Sequence, residues 1–405
     1  MKPVKISQLL LRRLTGRPAE RPAGLYERAL TLGHAGDIAG MRRLFYDFIK
    51  AAHADEDPEK LFRALLELGL HARAFGLAEK LIVRPGADRL VIKDPFIDIR
   101  FSPPAGYYEE HLRALARQRA AGPAGRWKHY YSGVLRRRLN RLREAAAAFD
   151  RAGDWPRSAW LRFQRGWTLL NLGEDLARAA ADLRAAAGAD RADWVARCLL
   201  GEALVCDGRA KEGLDHFGRA AAAAPAHAAD VAAWRGQLRL ILGDYRGAVK
   251  DLLPANRAGN VFSWCWLGAA RLRLGQAAPA LKLLARAVKL LPGDAEARLW
   301  YCEALRLSGR RAAARRQLEL AGDGNWARAN RALLLAQAGR YRRAYAWYQK
   351  LDASIRLRLE KAAGLSPVDA GSLTSLMEFL FRKSLGNRTD KVYLYSRWFT
   401  PPSRP

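Results

Sequence analysis

Histidine and cysteine are the side chains that most often carry nucleophilic, acid–base or metal chemistry, and this sequence uses both sparingly. Its four cysteines form no CxxC pair, which argues against a zinc site and against a disulfide framework. The stretch Glu109-Glu110-His111 lacks the second histidine of a zinc-binding HExxH motif. GxSxG, phosphate-loop and GxGxxG patterns are absent from the sequence. The sequence therefore predicts a protein that is not an enzyme, with no metal site and no cofactor.

Tryptophan, tyrosine and arginine are the residues with which this chain could bind a ligand without catalysis. The 405 residues include 12 Trp, and 70 Lys and Arg outnumber 40 Asp and Glu to give a formal charge of +30. Such an excess favours an anionic partner, which could be nucleic acid, an acidic protein or a membrane surface. Arginine-rich codon usage is an equally good source of the charge. The densest basic run, at 136–143, spans more than one helical turn, so part of it is expected to reach a ligand and part to face water.

An internal repeat indicates how these side chains are positioned. Glycines next to short apolar runs recur at intervals of 33, 35, 35 and 32 residues, at Gly133, Gly166, Gly201, Gly236 and Gly268. A second glycine follows seven residues later in four of these copies, and the same slot recurs at Gly309 and Gly339. Glycine is typical of the left-handed position that ends a helix. The pattern predicts successive pairs of helices joined by tight turns.

This pattern resembles the tetratricopeptide repeat (TPR), a helix-turn-helix unit of about 34 residues. The clearest copy is 261–294, VFSWCWLGAARLRLGQAAPALKLLARAVKLLPGD, in which Trp264, Leu267 and Gly268 occupy family positions of the first helix. Ala280 and Leu284 occupy family positions of the second helix. The resemblance implies an all-α fold, a right-handed α-solenoid whose first helices line a concave groove. It also implies that Trp264 packs in the core while Trp266 faces the groove.

The repeat defines an expected domain organisation. We expect a basic segment at 1–21, divergent helical pairs at 22–88, an extended or hairpin insert at 89–105, the main solenoid at 106–360, and a capping helix with an aromatic tail at 361–405. Repeats of the main solenoid are expected to start near residues 126, 159, 194, 229, 261, 295 and 325. In the copy at 159 the second helix is displaced by one residue, and Cys302 and Ala332 replace the first-helix glycine in the last two copies.

The family's groove positions give a set of candidate ligand-binding residues. Tryptophan recurs at one groove position in three successive copies, and other aromatic and basic residues fill neighbouring positions. Rigid rings offer much contact area at little entropic cost, although tryptophan is also commonly buried between repeats. The candidates are Trp127, Tyr130, Tyr131, Arg137, Arg138, Trp160, Phe163, Trp167, Trp234, Phe262, Trp266, Trp300, Trp326 and Asn330.

Two functions remain open at this point. The first is a TPR scaffold or adaptor that binds an extended peptide or protein segment in an aromatic, basic groove. The alternative is a helical-repeat protein that binds nucleic acid or another polyanion with the same aromatic and arginine side chains. Contact with a membrane surface is a weaker third possibility. Cysteine usage without disulfide spacing, and the lack of a long apolar stretch, predict a cytoplasmic protein.

Overall fold

A computed structural model of the protein describes residues 22–52, 57–82, 106–119, 122–153, 159–173, 175–189 and 193–353, together with Arg356 and Glu360. Within these ranges the regular structure is entirely helical, which confirms the all-α prediction for them. The chain divides into two compact units, residues 1–190 and 191–405. The expected basic segment at 1–21, the insert at 89–105 and the capping segment at 361–405 lie outside the described residues.

The first unit consists of helical hairpins and one additional helix. Helices α1 and α2 form a hairpin, α3 and α4 a second, α6 and α7 a third, and α8 and α9 a fourth, while α5 packs on α6. The helices are α1 Pro22–His34, α2 Ile38–Ala51, α3 Pro58–Glu67, α4 His71–Ile82, α5 Tyr107–Arg117, α6 Gly122–Arg138, α7 Leu142–Ala152, α8 Ala159–Leu172 and α9 Leu176–Ala189.

The second unit consists of five hairpins among its described residues. In all five the first helix contacts its own partner, and in the first four it also contacts the first helix of the next hairpin. The helices are α10 Trp194–Cys206, α11 Ala210–Ala223, α12 Ala228–Ile241, α13 Tyr245–Arg257, α14 Ser263–Arg273, α15 Ala277–Leu290, α16 Ala295–Leu307, α17 Arg311–Leu320, α18 Asn325–Gln337 and α19 Tyr341–Gln349. Within this unit the hairpins stack in sequence, as they do in an α-solenoid.

Local sequence signals begin and end these helices. Aspartate side chains accept hydrogen bonds from backbone amides in the first turns of α2, α3, α10, α13 and α16. At the other end of α14, Gly275 adopts a left-handed conformation with φ of 77°, and the amide of Gln276 donates to the Arg271 carbonyl at 2.9 Å. The corresponding glycines also have positive φ, at 173, 208, 243, 309 and 339. The predicted turn positions are thus confirmed.

The core of each unit is built mainly from alanine, leucine and aromatic side chains. In the first unit the divergent N-terminal copies bury Met41, Phe45, Ala74 and Leu81, as the repeat pattern required. In the second unit one apolar cluster runs continuously from Leu240 to Leu351. A single hairpin cannot enclose its own apolar face, and stacking buries that face against the next hairpin.

Candidate interaction surface

The aromatic residues that begin the main repeats of the first unit are packing residues. The side chains of Trp127, Tyr130, Tyr131 and Trp160 are fully buried. Trp127 stacks on Trp160 of the next hairpin, with ring centroids 5.0 Å apart and an interplanar angle of 8°. The indole Nε1 of Trp127 donates a hydrogen bond to Glu79 at 2.6 Å. These rings join successive first helices, which corrects the expectation that they line an accessible groove.

Four further candidates of the first unit contact one another or neighbouring side chains. The guanidinium carbon of Arg137 lies 3.9 Å from the centroid of the half-buried Trp167 ring, and Phe163 packs edge-on against the same ring. Arg138 donates a hydrogen bond to the Tyr108 hydroxyl at 2.9 Å. Arg137, Arg138 and Trp167 are therefore only partly accessible, and Phe163 is buried.

The rest of the basic run is also engaged inside the first unit. The Nε of Arg136 lies 3.2 Å from a carboxylate oxygen of Glu144, and Arg141 forms an ion pair with Glu109. An arginine that already has a carboxylate partner must give it up before it can bind a phosphate. The run is thus less available to a polyanion than its sequence suggested.

In the second unit, the last candidates along the chain are buried. Trp300 is 2% exposed and meets Trp326 edge-to-face, with centroids 5.4 Å apart. The side chain of Asn330 donates to the Trp326 carbonyl at 3.0 Å within helix α18. The expectation that Trp300, Trp326 and Asn330 face a ligand is therefore wrong, because they form the contact between the first helices α16 and α18.

Three candidates of the second unit remain at least partly accessible, and they lie on or next to two adjacent first helices. Phe262 is 54% exposed and stacks on the half-buried Trp266, with centroids 6.3 Å apart and an interplanar angle of 24°. Trp234, on α12, is also half-buried, and its Nε1 donates to a carboxylate oxygen of Glu202 at 3.0 Å. We call Trp234, Phe262, Trp266 and the Glu202 carboxylate the first-helix face.

The two tryptophans of α14 differ less in burial than the sequence predicted. Trp264 and Trp266 are both half-buried and both pack against the apolar core, while Cys265 between them is buried. The guanidinium carbon of Arg286 lies 6.0 Å from the Trp264 centroid. Trp264 thus packs against the core, as the sequence predicted, but the core does not enclose it.

Two carboxylates on first helices of the second unit have identified partners. Glu202 is buried beneath Trp234, and Glu303 on α16 pairs with Arg306 at 2.6 Å. The Arg306 side chain is fully buried, so this cation is held within the protein. Both carboxylates thus already have partners within the protein.

A buried polar cluster in the first unit was missed from sequence. The Tyr107 hydroxyl donates to the Glu67 carboxylate at 2.6 Å, and the Nε2 of His111 lies 3.2 Å from the same carboxylate. His71 is buried nearby, where desolvation, with His111 acting in the same direction, lowers its pKa to about 4. These residues come from α3, α4 and α5, and no local sequence pattern brings them together. Across the described residues, no group of three or more His, Cys, Asp or Glu is placed to hold a metal ion.

The glycine register decides the repeat type. A Cβ atom built on Gly268 would lie 2.6 Å from Cγ of Leu284 in the partner helix, so the hairpin closes only around a glycine. The same first-helix glycine meets the same second-helix position in four other hairpins, as Gly133 with Phe149, Gly166 with Leu183, Gly201 with Phe217 and Gly236 with Leu252. The hairpins are TPR-type repeats. The pair Gly166–Leu183 is one residue longer than the others, which confirms the displacement predicted for that copy.

Known proteins share this fold at low identity. The chain is similar to PilF of Pseudomonas aeruginosa, with 18% identity over 56% of this chain and 97% of that one, and a TM-score of 0.41. It is also similar to TTC0263, a TPR protein of Thermus thermophilus, with 22% identity over 45% of this chain and 99% of that one, and a TM-score of 0.39. YrrB, described as a TPR protein with an unusual peptide-binding site, is 22% identical over 45% of this chain and 99% of its own, with a TM-score of 0.32. The assignment of TPR-type repeats rests on the glycine register and not on these likenesses.

Sequence comparison adds one short match. No family model matches the chain. A phosphoribosylformylglycinamidine cyclo-ligase of Polaromonas sp. is 34% identical over 115 residues, which is 27% of this chain and 32% of the relative. The chain thus spans about a third of the length of the curated relative that it matches.

Proposed function

We propose that the protein is a non-catalytic scaffold that binds an extended protein segment on the first-helix face of its second unit. The observation that carries the proposal is the stacked pair of Phe262 and Trp266 at the beginning of α14. Phe262 is exposed and Trp266 is half-buried, so both rings reach the protein surface. Burying an apolar side chain of this size contributes about 1.5–3 kcal/mol. Two such rings, with Trp234 on the adjacent helix, supply enough contact for a segment that presents apolar side chains.

The charges of this surface favour protein over nucleic acid. Glu202 lies beside the Trp234 ring, and Glu303 is paired with the buried Arg306, so these residues offer no cation to a phosphate backbone. The basic run of the first unit, which suggested phosphate contact, is engaged with Glu144, Glu109 and Tyr108. A peptide that offers apolar side chains, with basic or neutral neighbours, suits this combination of rings and carboxylates.

The lack of catalysis belongs to the same proposal, and the cysteines support it. Burial raises the pKa of the Cys198, Cys265 and Cys302 thiols, so none of them is an activated nucleophile at neutral pH. All four cysteines lie in the described part of the chain and are free thiols. A cytoplasmic location, which would keep them reduced, is part of the proposal. Among the helices described, none is long and apolar enough to cross a membrane.

Nucleic acid is the second candidate ligand, and the formal charge of +30 is the observation that favours it. If the protein neutralises several phosphates, the logarithm of affinity falls steeply and linearly with the logarithm of salt concentration. A segment held mainly by apolar contact gives a shallow slope.

The proposal is tested by affinity capture from the cells that make the protein, with and without nuclease. We compare the wild type, the double variant Phe262→Ser with Trp266→Ser, and the control Tyr46→Ser. Tyr46 is also about half exposed, at 51%, but belongs to the first unit. The proposal expects a protein that survives nuclease, is retained by the control and is lost from the double variant.

Two outcomes contradict it. Capture that vanishes on nuclease treatment favours the nucleic-acid alternative. Retention of every partner by the double variant means that the first-helix face is not the binding site.

A further inference from the structure

The last two hairpins enclose a cavity that the proposed function does not use. Its volume is about 270 Å³, and it lies between the second helices α17 and α19, over the first helix α18. Leu318, Leu334, Leu335 and the half-buried Trp347 provide the apolar part of the lining. Arg315 and Arg340 border it as exposed side chains. The exposed carboxylate of Glu319 also borders the cavity, so two arginines and one carboxylate surround its apolar floor.

The repeat register places one further arginine, Arg331, in the cavity lining. In two earlier hairpins an arginine on the first helix forms a two-bonded ion pair with an aspartate on the second helix. These pairs are Arg165 with Asp182, at 2.6 and 2.8 Å, and Arg235 with Asp251, at 2.8 and 2.6 Å. In the last hairpin Arg331 stands at the arginine position, and Trp347 stands where the aspartate would be. The second-helix carboxylate of those two hairpins is therefore replaced by an indole, and Arg331 pairs with Asp323 instead.

Arg331 is held in place by other groups. It donates to Asp323 at 2.7 Å and to the Gly322 carbonyl at 2.8 Å, and its guanidinium carbon lies 4.7 Å from the Trp347 centroid. The ammonium of Lys350 lies 4.2 Å from the same centroid. Two cations thus lie close to the Trp347 ring that lines the cavity.

Arg315 and Arg340 belong to a larger set of exposed arginines that lie in, or just before, helices α17 and α19. The side chain of each of them lacks a hydrogen bond or ion pair to any described residue. The set consists of Arg310, Arg311, Arg315, Arg316, Arg340, Arg342 and Arg343. Seven arginines spread over two helices offer more contacts than one small ion can use, so a chain that carries several charges suits them better.

We propose that this cavity and its two arginine rows form a second docking site, for an acidic segment of a partner protein that carries one large apolar side chain. The apolar side chain enters the cavity over Leu335 and Trp347. Carboxylates on either side of it pair with Arg315 and Arg340, which charge complementarity favours. The chain's own residues 361–405 are a poor match, because seven Lys and Arg outnumber three Asp and Glu there.

The test uses full-length protein and three labelled probes in a fluorescence anisotropy titration. The first probe is a peptide with one phenylalanine between two triplets of glutamate. The second replaces the phenylalanine by glycine, and the third is a thymidine dodecanucleotide. The test variant combines Arg315→Glu with Arg340→Glu. The control combines Arg246→Glu with Lys250→Glu, two exposed α13 residues that change the net charge by the same amount.

The proposal expects saturable binding of the phenylalanine peptide, weakened about tenfold or more by the glycine replacement and by the test variant. The control variant should weaken it by less than about threefold, since distant surface charges are screened. Circular dichroism verifies that both variants fold.

The following results would overturn the proposal. One is equal binding of the phenylalanine and glycine peptides, which means that the cavity is not used. Another is equal loss in the two variants, which means that net charge alone acts. The third is no saturable peptide binding up to about 1 mM. Tighter binding of the oligonucleotide, lost in the test variant, would instead assign the surface to nucleic acid.

Discussion

Replacing Gly268 by alanine tests the closest contact within a hairpin. The new Cβ would lie 2.6 Å from Cγ and 2.8 Å from Cδ2 of Leu284, whereas carbon atoms pack best at about 3.5–4.0 Å. Leu284 is fully buried and Cγ is its branch point, so it cannot move aside without displacing the helix. Overpacking of this kind costs about 1–3 kcal/mol. Alanine recovers about 1 kcal/mol of helix propensity, which leaves a net destabilisation of about 0–2 kcal/mol.

Gly218 is the matched control. It lies inside helix α11, and a Cβ placed on it meets no atom within 4 Å. Gly218→Ala should therefore stabilise the protein by about 0.5–1 kcal/mol, through propensity alone. Urea unfolding followed by far-ultraviolet circular dichroism measures both effects. Gly218→Ala should raise the urea midpoint, whereas Gly268→Ala should lower it or leave it unchanged. The dependence of unfolding free energy on urea concentration should be the same in both variants.

A double-mutant cycle locates the effect. Leu284→Ala alone should cost about 2–5 kcal/mol by leaving a cavity. In the Gly268→Ala background it should cost less, by a coupling energy of about 0.5–3 kcal/mol, because the truncated side chain no longer meets the new Cβ. If Gly268→Ala stabilises as much as Gly218→Ala, or if the cycle gives no coupling, the helices do not touch at this position and the register is wrong.

Three further predictions concern aromatic and titratable residues. Trp300→Ala should lower the free energy of unfolding by about 3–5 kcal/mol in urea titrations, because Trp300 is only 2% exposed. Trp266→Ala should cost less than half as much while weakening capture of the protein partner, and equal losses for the two would contradict the accessibility assigned to Trp266. The pKa of His71 is about 4 in the folded protein, against an ordinary 6.5. Between these two pH values His71 is therefore protonated in the unfolded chain but neutral in the folded chain. Stability should therefore fall by up to about 3 kcal/mol from pH 6.5 to 4, and His71→Phe should flatten that dependence, so an unchanged slope would rule out His71 as its source.

Much of the fold was predictable because the information is local. Helix ends depend on residues within one turn, so the aspartate caps and the positive-φ glycines such as Gly275 can be predicted from the sequence. The close approach at Gly268 recurs at the corresponding glycine of four other hairpins, and this repetition allowed the register to be predicted as well. Even the one-residue displacement between Gly166 and Leu183 was visible as a change of spacing.

The candidate site was predicted less well, because accessibility depends on contacts between hairpins. Trp266 and Trp300 hold the same repeat position, yet the first stays half-exposed beside Phe262 and the second is covered by Trp326 of the following helix. The position of a residue within a repeat determines the direction in which its side chain projects from its own helix. Whether a neighbour covers that side chain depends on the size and placement of residues about thirty positions away.

The sequence by itself determined the helical hairpins, their order and their register, since these follow from the periodicity of apolar residues and the placement of glycine. Only the tertiary structure decided which charges are available. It paired Arg136 and Arg141 inside the first unit, assembled Glu67 and His111 from separate helices, and left Arg315 without a described partner beside an apolar cavity. The physical reason is that an ion pair or a buried hydrogen bond requires two groups within about 4 Å, and the sequence does not specify distances between residues that lie far apart along the chain.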